Sequence, residues 1–120
     1  MNHYLGIDVG TGSARAGLFD ARGSRVAHAV REIETRFPQA DFVEQSSDNI
    51  WEAVTDCVRS VLGESGVDPS SVKGVGFDAT CSLVAVDAAG LPVSVATDND
   101  DHWNIIVWMD HRAKREAEEI

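Results

Sequence analysis

A glycine-rich turn between two apolar segments constrains the fold of this chain most. Residues 4–9, Tyr-Leu-Gly-Ile-Asp-Val, predict a buried strand, and residues 14–20, Ala-Arg-Ala-Gly-Leu-Phe-Asp, predict a second one. Between them, Gly-Thr-Gly-Ser at 10–13 indicates a tight reversal, because glycine tolerates sharp backbone turns. A second turn at 21–23 leads into a third strand over residues 24–34. The chain is therefore expected to open with a three-stranded meander that has glycine at both corners.

A helix follows the meander. Residues 37–45 predict a loop, after which Ser47 or Asp48 can cap a helix. Apolar side chains then recur at helical spacing on one stripe: Ile50, Trp51, Val54, Val58, Val61 and Leu62. Cys57 lies beside that stripe and is expected to pack in the core, and the glycines at 63 and 66 indicate the helix end.

The remaining segments are shorter. The pattern predicts a fourth strand over 72–78, a fifth over 82–87, a short sixth over 91–96 and a further apolar strand at 105–109. A charged helix is expected from Asp110 to the last residue. Because that helix is still running where the sequence stops, we expect the chain to be the N-terminal piece of something longer.

The first turn carries residue types that suit phosphate binding. Gly10 and Gly12 allow the backbone to approach a ligand closely. Thr11 and Ser13 place hydroxyls beside backbone N–H groups, which in such turns form anion-binding concavities. Arg15 offers a planar set of donors to phosphate oxygens. The turn is therefore a candidate cradle for a phosphate chain.

Asp8, at the end of the first strand, would repel phosphate unless a cation lies between them. Mg²⁺ held by a carboxylate, water and phosphate resolves that conflict. The alternative is a plain hairpin, but an aspartate, two hydroxyls and an arginine within eight residues favour phosphate binding. The motif is no Walker loop, since it lacks Gly-Lys-Ser/Thr. It also lacks the third glycine of the dinucleotide fingerprint.

Composition excludes several classes of function. The 120 residues include 20 Asp+Glu and 10 Lys+Arg, giving a formal charge of −10, which opposes unaided binding to nucleic acid or an anionic membrane. No apolar run approaches the ~20 residues of a membrane span, and the N-terminus does not resemble a signal peptide. Two cysteines, Cys57 and Cys81, indicate neither a disulfide framework nor a zinc cluster. We therefore expect a cytoplasmic protein with no nucleic-acid or membrane partner.

Four segments together resemble one enzyme family. Residues 8–20, Asp-Val-Gly-Thr-Gly-Ser-Ala-Arg-Ala-Gly-Leu-Phe-Asp, are similar to the first phosphate motif of the FGGY carbohydrate kinases, ATP-dependent sugar and polyol kinases of the actin/hexokinase/Hsp70 superfamily. The others are Phe-Val-Glu-Gln at 42–45 leading to Ile-Trp at 50–51, Gly-Val-Gly-Phe-Asp-Ala-Thr-Cys-Ser at 74–82, and Trp-Met-Asp-His-Arg-Ala at 108–113. The last two segments most resemble the ribulokinase-like branch, and the resemblance covers essentially the whole chain.

The resemblance implies an α/β, ribonuclease-H-like (actin-like ATPase) domain with a mixed five-stranded sheet, antiparallel first three strands and flanking helices. Residues 1–120 would form the N-terminal portion of the family's N-terminal domain, with a second domain further on. The general-base aspartate and the adenosine site would lie beyond Ile120, so no catalytic residue is expected here and the fragment alone should be inactive. ATP and Mg²⁺ are the implied cofactors, and a sugar or polyol is the substrate, with a ketopentose such as ribulose favoured. Homodimers are common among relatives.

The resemblance also implies site residues. The ATP phosphates would be bound by Asp8, Gly10, Thr11, Gly12, Ser13 and Arg15, with Asp8 also organising the metal. The sugar would be bound by Asp78, Thr80, Cys81, Asp110, His111 and Glu44.

Structural roles that involve no ligand are alternatives to some of these assignments. Asp110 could be only a helix N-cap, and Glu44 only a solvated loop carboxylate. Arg112 is expected to pair with a nearby carboxylate, while Trp51 and Trp108 are expected mainly to pack.

Two other functions fit parts of the pattern. Asp8, Glu52 and Asp78 could gather as the carboxylate trio of a ribonuclease-H-like nuclease that uses two metals. The charge of −10 opposes that function, because a nuclease must hold a polyanion, and Arg15 would have no role in it. The other alternative is a non-catalytic actin-like ATPase module, which the sugar-side likeness at 78–82 and 108–113 disfavours.

Overall fold

The structure is a computed structural model that describes residues 1–120 and divides them into two compact units. Unit 1 comprises Met1–Ile33 and Ile50–Thr80, and unit 2 comprises Glu34–Asn49 and Cys81–Ile120. The elements in chain order are β1 (His3–Val9), β2 (Ser13–Asp20), β3 (Arg25–Glu32), β4 (Glu44–Gln45), α1 (Ser47–Ser65), β5 (Val72–Ala79), β6 (Leu83–Val84), β7 (Ile105–Ile106) and α2 (Lys114–Glu118). No helix combines the length and apolar character that crossing a bilayer requires.

Unit 1 is built on a mixed sheet with strand order β3-β2-β1-β5. β1 and β2 pair antiparallel, as do β2 and β3, so the predicted meander is confirmed. β5 pairs parallel to β1, which is possible because α1 supplies the long crossover that a parallel connection needs. The α/β fold class is confirmed, but this sheet has four strands where five were expected.

The core of unit 1 lies between that sheet and α1. Alternate residues of β1 and β2 and one stripe of α1 form it: Leu5, Ile7, Ala14, Ala16, Leu18, Val54, Cys57 and Val61. Cys57 is fully buried, which confirms its predicted packing role, and burial raises the pKa of its thiol. The alanines on β2 leave room for the helix to approach the strands closely.

The opposite face of the sheet is open. There, Gly6 pairs in register with Gly17 on β2 and with Gly76 on β5. The ring of Phe19 lies over Gly17, so a Cβ at residue 17 would come within 2.8 Å of it. These residues line part of a shallow groove of about 480 Å³, and Asp8, Arg15 and Asp78 also line it. The face that α1 leaves uncovered therefore carries the charged residues at the ends of the strands.

Unit 2 contains a small antiparallel sheet of order β4-β7-β6. The strands predicted over 82–87 and 105–109 shorten to two residues each, and 91–96 makes only an isolated bridge between Val86 and Pro92. The carboxylate of Asp87 accepts the N–H groups of Ala89 and Leu91, and such local bonds compete with strand pairing. The helix predicted from Asp110 begins only at Lys114.

Candidate functional site

The turn between β1 and β2 is closed by its own backbone. The N–H of Gly10 donates to the carbonyl of Ser13 at 2.9 Å, and the carbonyl of Gly12 accepts the N–H of Ile33 at 3.2 Å. Neither turn glycine has a positive φ. Nothing lies within 4 Å of where a Cβ on Gly12 would stand, whereas one on Gly10 would lie 3.3 Å from the Arg15 guanidinium. The conformation and packing of the chain itself therefore do not demand glycine at 12, and a ligand can approach the backbone there.

A row of three charged side chains crosses the sheet next to this turn. Arg15 and Asp78 are the cross-strand neighbours of Asp8 on β2 and β5. The Arg15 Nη1 lies 3.2 Å from the Asp8 Oδ2, and both side chains are about half exposed, at 52% and 51%. Exposed ion pairs contribute at most about 1 kcal/mol. We call Arg15, Asp8 and Asp78 the charged row. Because the ion pair between Arg15 and Asp8 is weak, Arg15 could release Asp8 and bind a phosphate at little cost in free energy.

The charged row is better suited to a cation that is bound to the phosphates of a nucleotide than to a metal ion held by protein ligands alone. Two carboxylates beside one guanidinium leave a local negative charge, which attracts a cation. No group of three or more His, Cys, Asp or Glu side chains is arranged to hold a metal. Mg²⁺ commonly binds through one or two carboxylates plus water and substrate phosphates, a donor set to which Asp8 could contribute.

The carboxylate trio of the nuclease alternative is not assembled. Asp8 and Asp78 are neighbours, but Glu52 is an exposed residue of α1 and makes no metal-binding group with them. The reason lies in strand alternation: Leu5 and Ile7 face the α1 side of the sheet, and Asp8 points the other way.

Three of the expected sugar contacts lie at the end of β5 or directly after it: Asp78, Thr80 and Cys81. Asp78 is exposed on β5, and the N–H of Thr80 donates to the carbonyl of Val9 at 3.2 Å, which fixes the backbone where the strand ends. In unit 2, Cys81 is a free, exposed cysteine, and the Ser82 hydroxyl accepts the N–H of Trp108 at 3.1 Å.

Glu44 and Asp110 are buried carboxylates that arginines bind. Glu44 is fully buried, and its carboxylate binds Arg36 Nε at 2.8 Å and Arg112 Nη2 at 3.1 Å. The Asp110 side chain is 1% exposed, and its Oδ2 lies 2.7 Å from Arg112 Nη2. The same oxygen accepts the N–H of Val43 at 2.7 Å. Both carboxylates are paired with arginines in this structure, and their assignment as sugar contacts stays a prediction. Glu44 is not a solvated loop residue.

Arg112 connects these buried carboxylates, as its predicted pairing implied. Its Nη1 also donates to the carbonyl of Val95 at 3.1 Å, and its guanidinium lies 4.1 Å from the centroid of the Phe42 ring. The hydrogen bond with Asp110 raises the pKa of Arg112. Burial alone would raise the pKa of Asp110, but hydrogen bonds from Arg112 and from the Val43 N–H outweigh it and hold that pKa below its usual value.

Arg36 binds Glu44 from the other side. Its two terminal nitrogens contact the carboxylate oxygens of Asp98 at 3.1 and 3.2 Å, and its guanidinium lies 4.5 Å from the centroid of the Trp103 ring. The hydrogen bond with Asp98 raises the pKa of Arg36 and lowers that of Asp98. Asp98, in the acidic segment Asp-Asn-Asp-Asp at 98–101, is therefore part of an ion pair.

Two side chains next to these ion pairs point outward. Trp108 is 54% exposed and His111 is exposed, although Trp108 was expected to pack. Trp51 is also exposed, at 64%, against the same expectation. Both tryptophans lie in apolar patterns, and periodicity alone does not separate the buried members of such a pattern from those at its edge.

Solved structures identify the fold class that these features define. A xyloylose kinase from Brucella ovis superposes with a TM-score of 0.82 over 98% of this chain and 23% of that protein, at 24% identity. A xylulose kinase from Rhodospirillum rubrum gives 0.81 over 98% of this chain and 22% of that protein, at 21% identity. At such identities the likeness establishes the fold alone: an α/β domain of the actin-like ATPase type.

Sequence comparison gives the family. The sequence model of the "FGGY family of carbohydrate kinases, N-terminal domain" matches residues 3–120. A D-ribulokinase from Saccharomyces cerevisiae is 52% identical over 120 residues, which are 98% of this chain and 17% of the relative. An FGGY carbohydrate kinase domain-containing protein from Homo sapiens is 43% identical over 118 residues, 98% of this chain and 21% of the relative. The chain belongs to the FGGY family of carbohydrate kinases, and it spans about a fifth of the length of these relatives.

Proposed function

We propose that this chain is the N-terminal part of the first domain of a kinase that transfers the γ-phosphoryl group of ATP to a hydroxyl of a sugar or polyol. The observation that carries the proposal is the open backbone at Gly12, beside a half-exposed arginine, in a chain of this family. A ketopentose such as ribulose is the favoured acceptor, because a relative named D-ribulokinase shares 52% of the residues.

In this proposal the turn and the charged row hold the phosphates. Backbone N–H groups around Gly12, with the hydroxyls of Thr11 and Ser13, bind phosphate oxygens, as turn amides do in anion-binding concavities. Arg15 leaves Asp8 and donates to the phosphates, where a charge-assisted bidentate contact is stronger than its exposed ion pair. Phosphoryl transfer depends mostly on positioning and on neutralising charge, which this arrangement supplies.

Mg²⁺ belongs to the same proposal. When bound with ATP, it neutralises charge on the phosphates and orients them. Asp8 would organise the ion, through water, from the centre of the charged row.

Asp78 and Thr80 are proposed to bind the sugar in unit 1. The accepting hydroxyl must meet the γ-phosphate, so the sugar has to lie next to the phosphates. Asp78 is the register neighbour of Asp8 and satisfies that requirement. Cys81 and His111 are exposed in unit 2 and remain predicted sugar contacts.

The experiment is a panel of acceptors tested with ATP on the intact protein. Ribulose, xylulose, pentitols and glycerol would be compared by coupled detection of ADP, with the acceptor-free reaction as the baseline. A ketopentose should give the highest kcat/KM. Absence of acceptor-dependent turnover with every compound would refute the proposal.

The proposal also includes a cytoplasmic location and a homodimer. Cell fractionation tests the location, and sedimentation tests the oligomeric state.

A further inference from the structure

Five charged side chains in unit 2 form one connected cluster. We call Arg36, Glu44, Asp98, Asp110 and Arg112 the ion cluster; its contacts range from 2.7 to 3.2 Å. The Glu44 and Asp110 side chains are 0% and 1% exposed. Buried ion pairs of this kind often stabilise no more than apolar residues of similar size would, because desolvating the charges is costly. A net gain in folding stability is therefore a poor explanation for the ion cluster. The arrangement of its contacts offers a better one.

The ion cluster joins segments that are far apart in sequence. Arg112 contacts Asp110, two residues away, Glu44 on β4, and the Val95 carbonyl. The Asp110 carboxylate in turn accepts the N–H of Val43 and the N–H of Arg112. One guanidinium thus connects three segments of unit 2, and a lysine ammonium cannot reproduce that planar set of donors.

The turn at residues 107–112, which carries Asp110 and Arg112, also makes backbone hydrogen bonds to residues 41–43. Within it, the N–H of His111 donates to the carbonyl of Asp41 at 2.8 Å, and the N–H of Val107 donates to the carbonyl of Val43 at 3.0 Å. The side chains that point outward from this turn are Trp108 and His111. The side chains of the turn therefore fall into two groups. Asp110 and Arg112 bind other residues of unit 2, while Trp108 and His111 are exposed.

We infer that Arg112 and Glu44 are positioning residues, which hold the turn at 107–112 in the conformation that presents Trp108 and His111. Asp110 is part of the same support and does not contact the sugar itself. The effect of this support on sugar binding rests on the proposed function, whereas its effect on the turn does not. Loss of Arg112 should therefore weaken sugar binding by loosening the turn, with little effect on the nucleotide.

The test compares arginines three residues apart in the intact protein. Arg112→Met removes the buried guanidinium and keeps an apolar side chain, and Arg112→Lys keeps the charge alone. Arg115→Met is the matched control, because that side chain is 86% exposed and pairs only with Glu119 among the ion pairs. Amide hydrogen exchange of peptides spanning 41–46 and 107–113 reports on the turn without reference to activity, and steady-state kinetics reports KM for sugar and ATP separately.

Arg112→Met should speed exchange in both peptides and raise the sugar KM about tenfold or more, as expected for lost hydrogen bonds to charged groups, with the ATP KM within about twofold. Arg112→Lys should fall between this variant and wild type. Arg115→Met should change neither readout. Unchanged exchange in the two peptides of a folded Arg112→Met protein would overturn the inference.

If Arg112→Met does not fold, Glu44→Gln tests the inference instead, since this substitution keeps the shape of the side chain and removes its charge. Faster exchange in the same peptides together with a raised sugar KM supports positioning. A raised sugar KM with unchanged exchange means that Glu44 contacts the sugar directly, which contradicts the inference. If wild type phosphorylates none of the acceptors, the proposed function fails, and exchange alone still decides whether the ion cluster holds the turn.

Discussion

Arg15 contacts the Asp8 carboxylate in an exposed ion pair, and we propose that it exchanges this contact for one with a phosphate. Its pair with Asp8 is about half exposed on both sides and contributes little to folding. The residue is therefore available for a ligand at small structural cost, which distinguishes it from the arginines of the ion cluster.

Replacing Arg15 with alanine in the intact protein should lower kcat/KM for ATP by about a hundredfold or more, in line with the loss of a donor to developing charge. The thermal midpoint should change little, since the lost ion pair is exposed. Arg22→Ala, in the exposed β2–β3 turn, is the matched control and should leave both quantities unchanged. Unaltered kinetics in Arg15→Ala would refute the phosphate role.

Replacing Asp78 should change the KM for sugar but not the KM for ATP. Asp78→Ala is expected to raise the KM for sugar about tenfold, because a site that hydrogen-bonds a hydroxyl loses affinity when its partner is removed. The ATP KM should stay near the wild-type value. Steady-state kinetics with each substrate varied in turn measures both. Equal loss for the two substrates would place Asp78 with the nucleotide, beside its register neighbour Asp8.

The elements of unit 1 were predictable because their patterns are long and local. β1, β2 and β3 have seven or eight residues each, and α1 has 19, so periods of two and 3.6 residues are well sampled. Glycine at both corners and the small residues of β2 agree with the same meander. The helical stripe was correct except at Trp51, which lies at its exposed margin.

Packing of α1 on β2 gives a prediction for this pair of elements. Ala16 is 2% exposed in the core beneath the helix, and Ala16→Leu should destabilise the protein by about 1–3 kcal/mol through overpacking. Ala21→Leu, in the exposed turn after β2, should change stability far less. Denaturant unfolding of both variants measures the difference, and equal midpoints would show that the helix does not pack on this strand as described.

The short elements of unit 2 could not be predicted, since their strands depend on distant partners. Glu44 and Arg112 are 68 residues apart, and Val43 and Asp110 are 67 apart. No local pattern indicates that a loop glutamate will be fully buried between two arginines. The motif Trp-Met-Asp-His-Arg at 108–112 did indicate an important turn, but it did not show which side chains face inward.

The ion cluster predicts a loss of stability in acid. Because the folded-state pKa of Asp110 is held below its ordinary value of 3.8, its contribution is present above that value and is lost as pH falls through the lowered pKa. Asp110→Asn should cost about 3 kcal/mol at neutral pH, since it breaks a buried pair. Thermal midpoints of the two proteins should converge between pH 5 and strongly acidic solution. A gap that stays constant with pH would contradict this account.

Over the whole chain, the sequence is about a fifth of the length of its curated relatives. In the proposed function, residues 1–120 supply no general base. We therefore expect residues 1–120 alone to show no sugar-dependent ATP turnover, measured by ADP release at enzyme concentrations that give a clear signal for the intact protein. Robust turnover by the fragment would show that a base is present within it.

The central claim is that the β1–β2 turn binds the phosphates of ATP, and a crystal structure of the intact protein with Mg²⁺ and a non-hydrolysable nucleotide tests it most directly. We predict phosphate oxygens within hydrogen-bonding distance of backbone N–H groups at residues 11–13, with Arg15 turned from Asp8 toward them. Phosphates bound elsewhere, with the 3.2 Å contact between Arg15 and Asp8 intact, would contradict it.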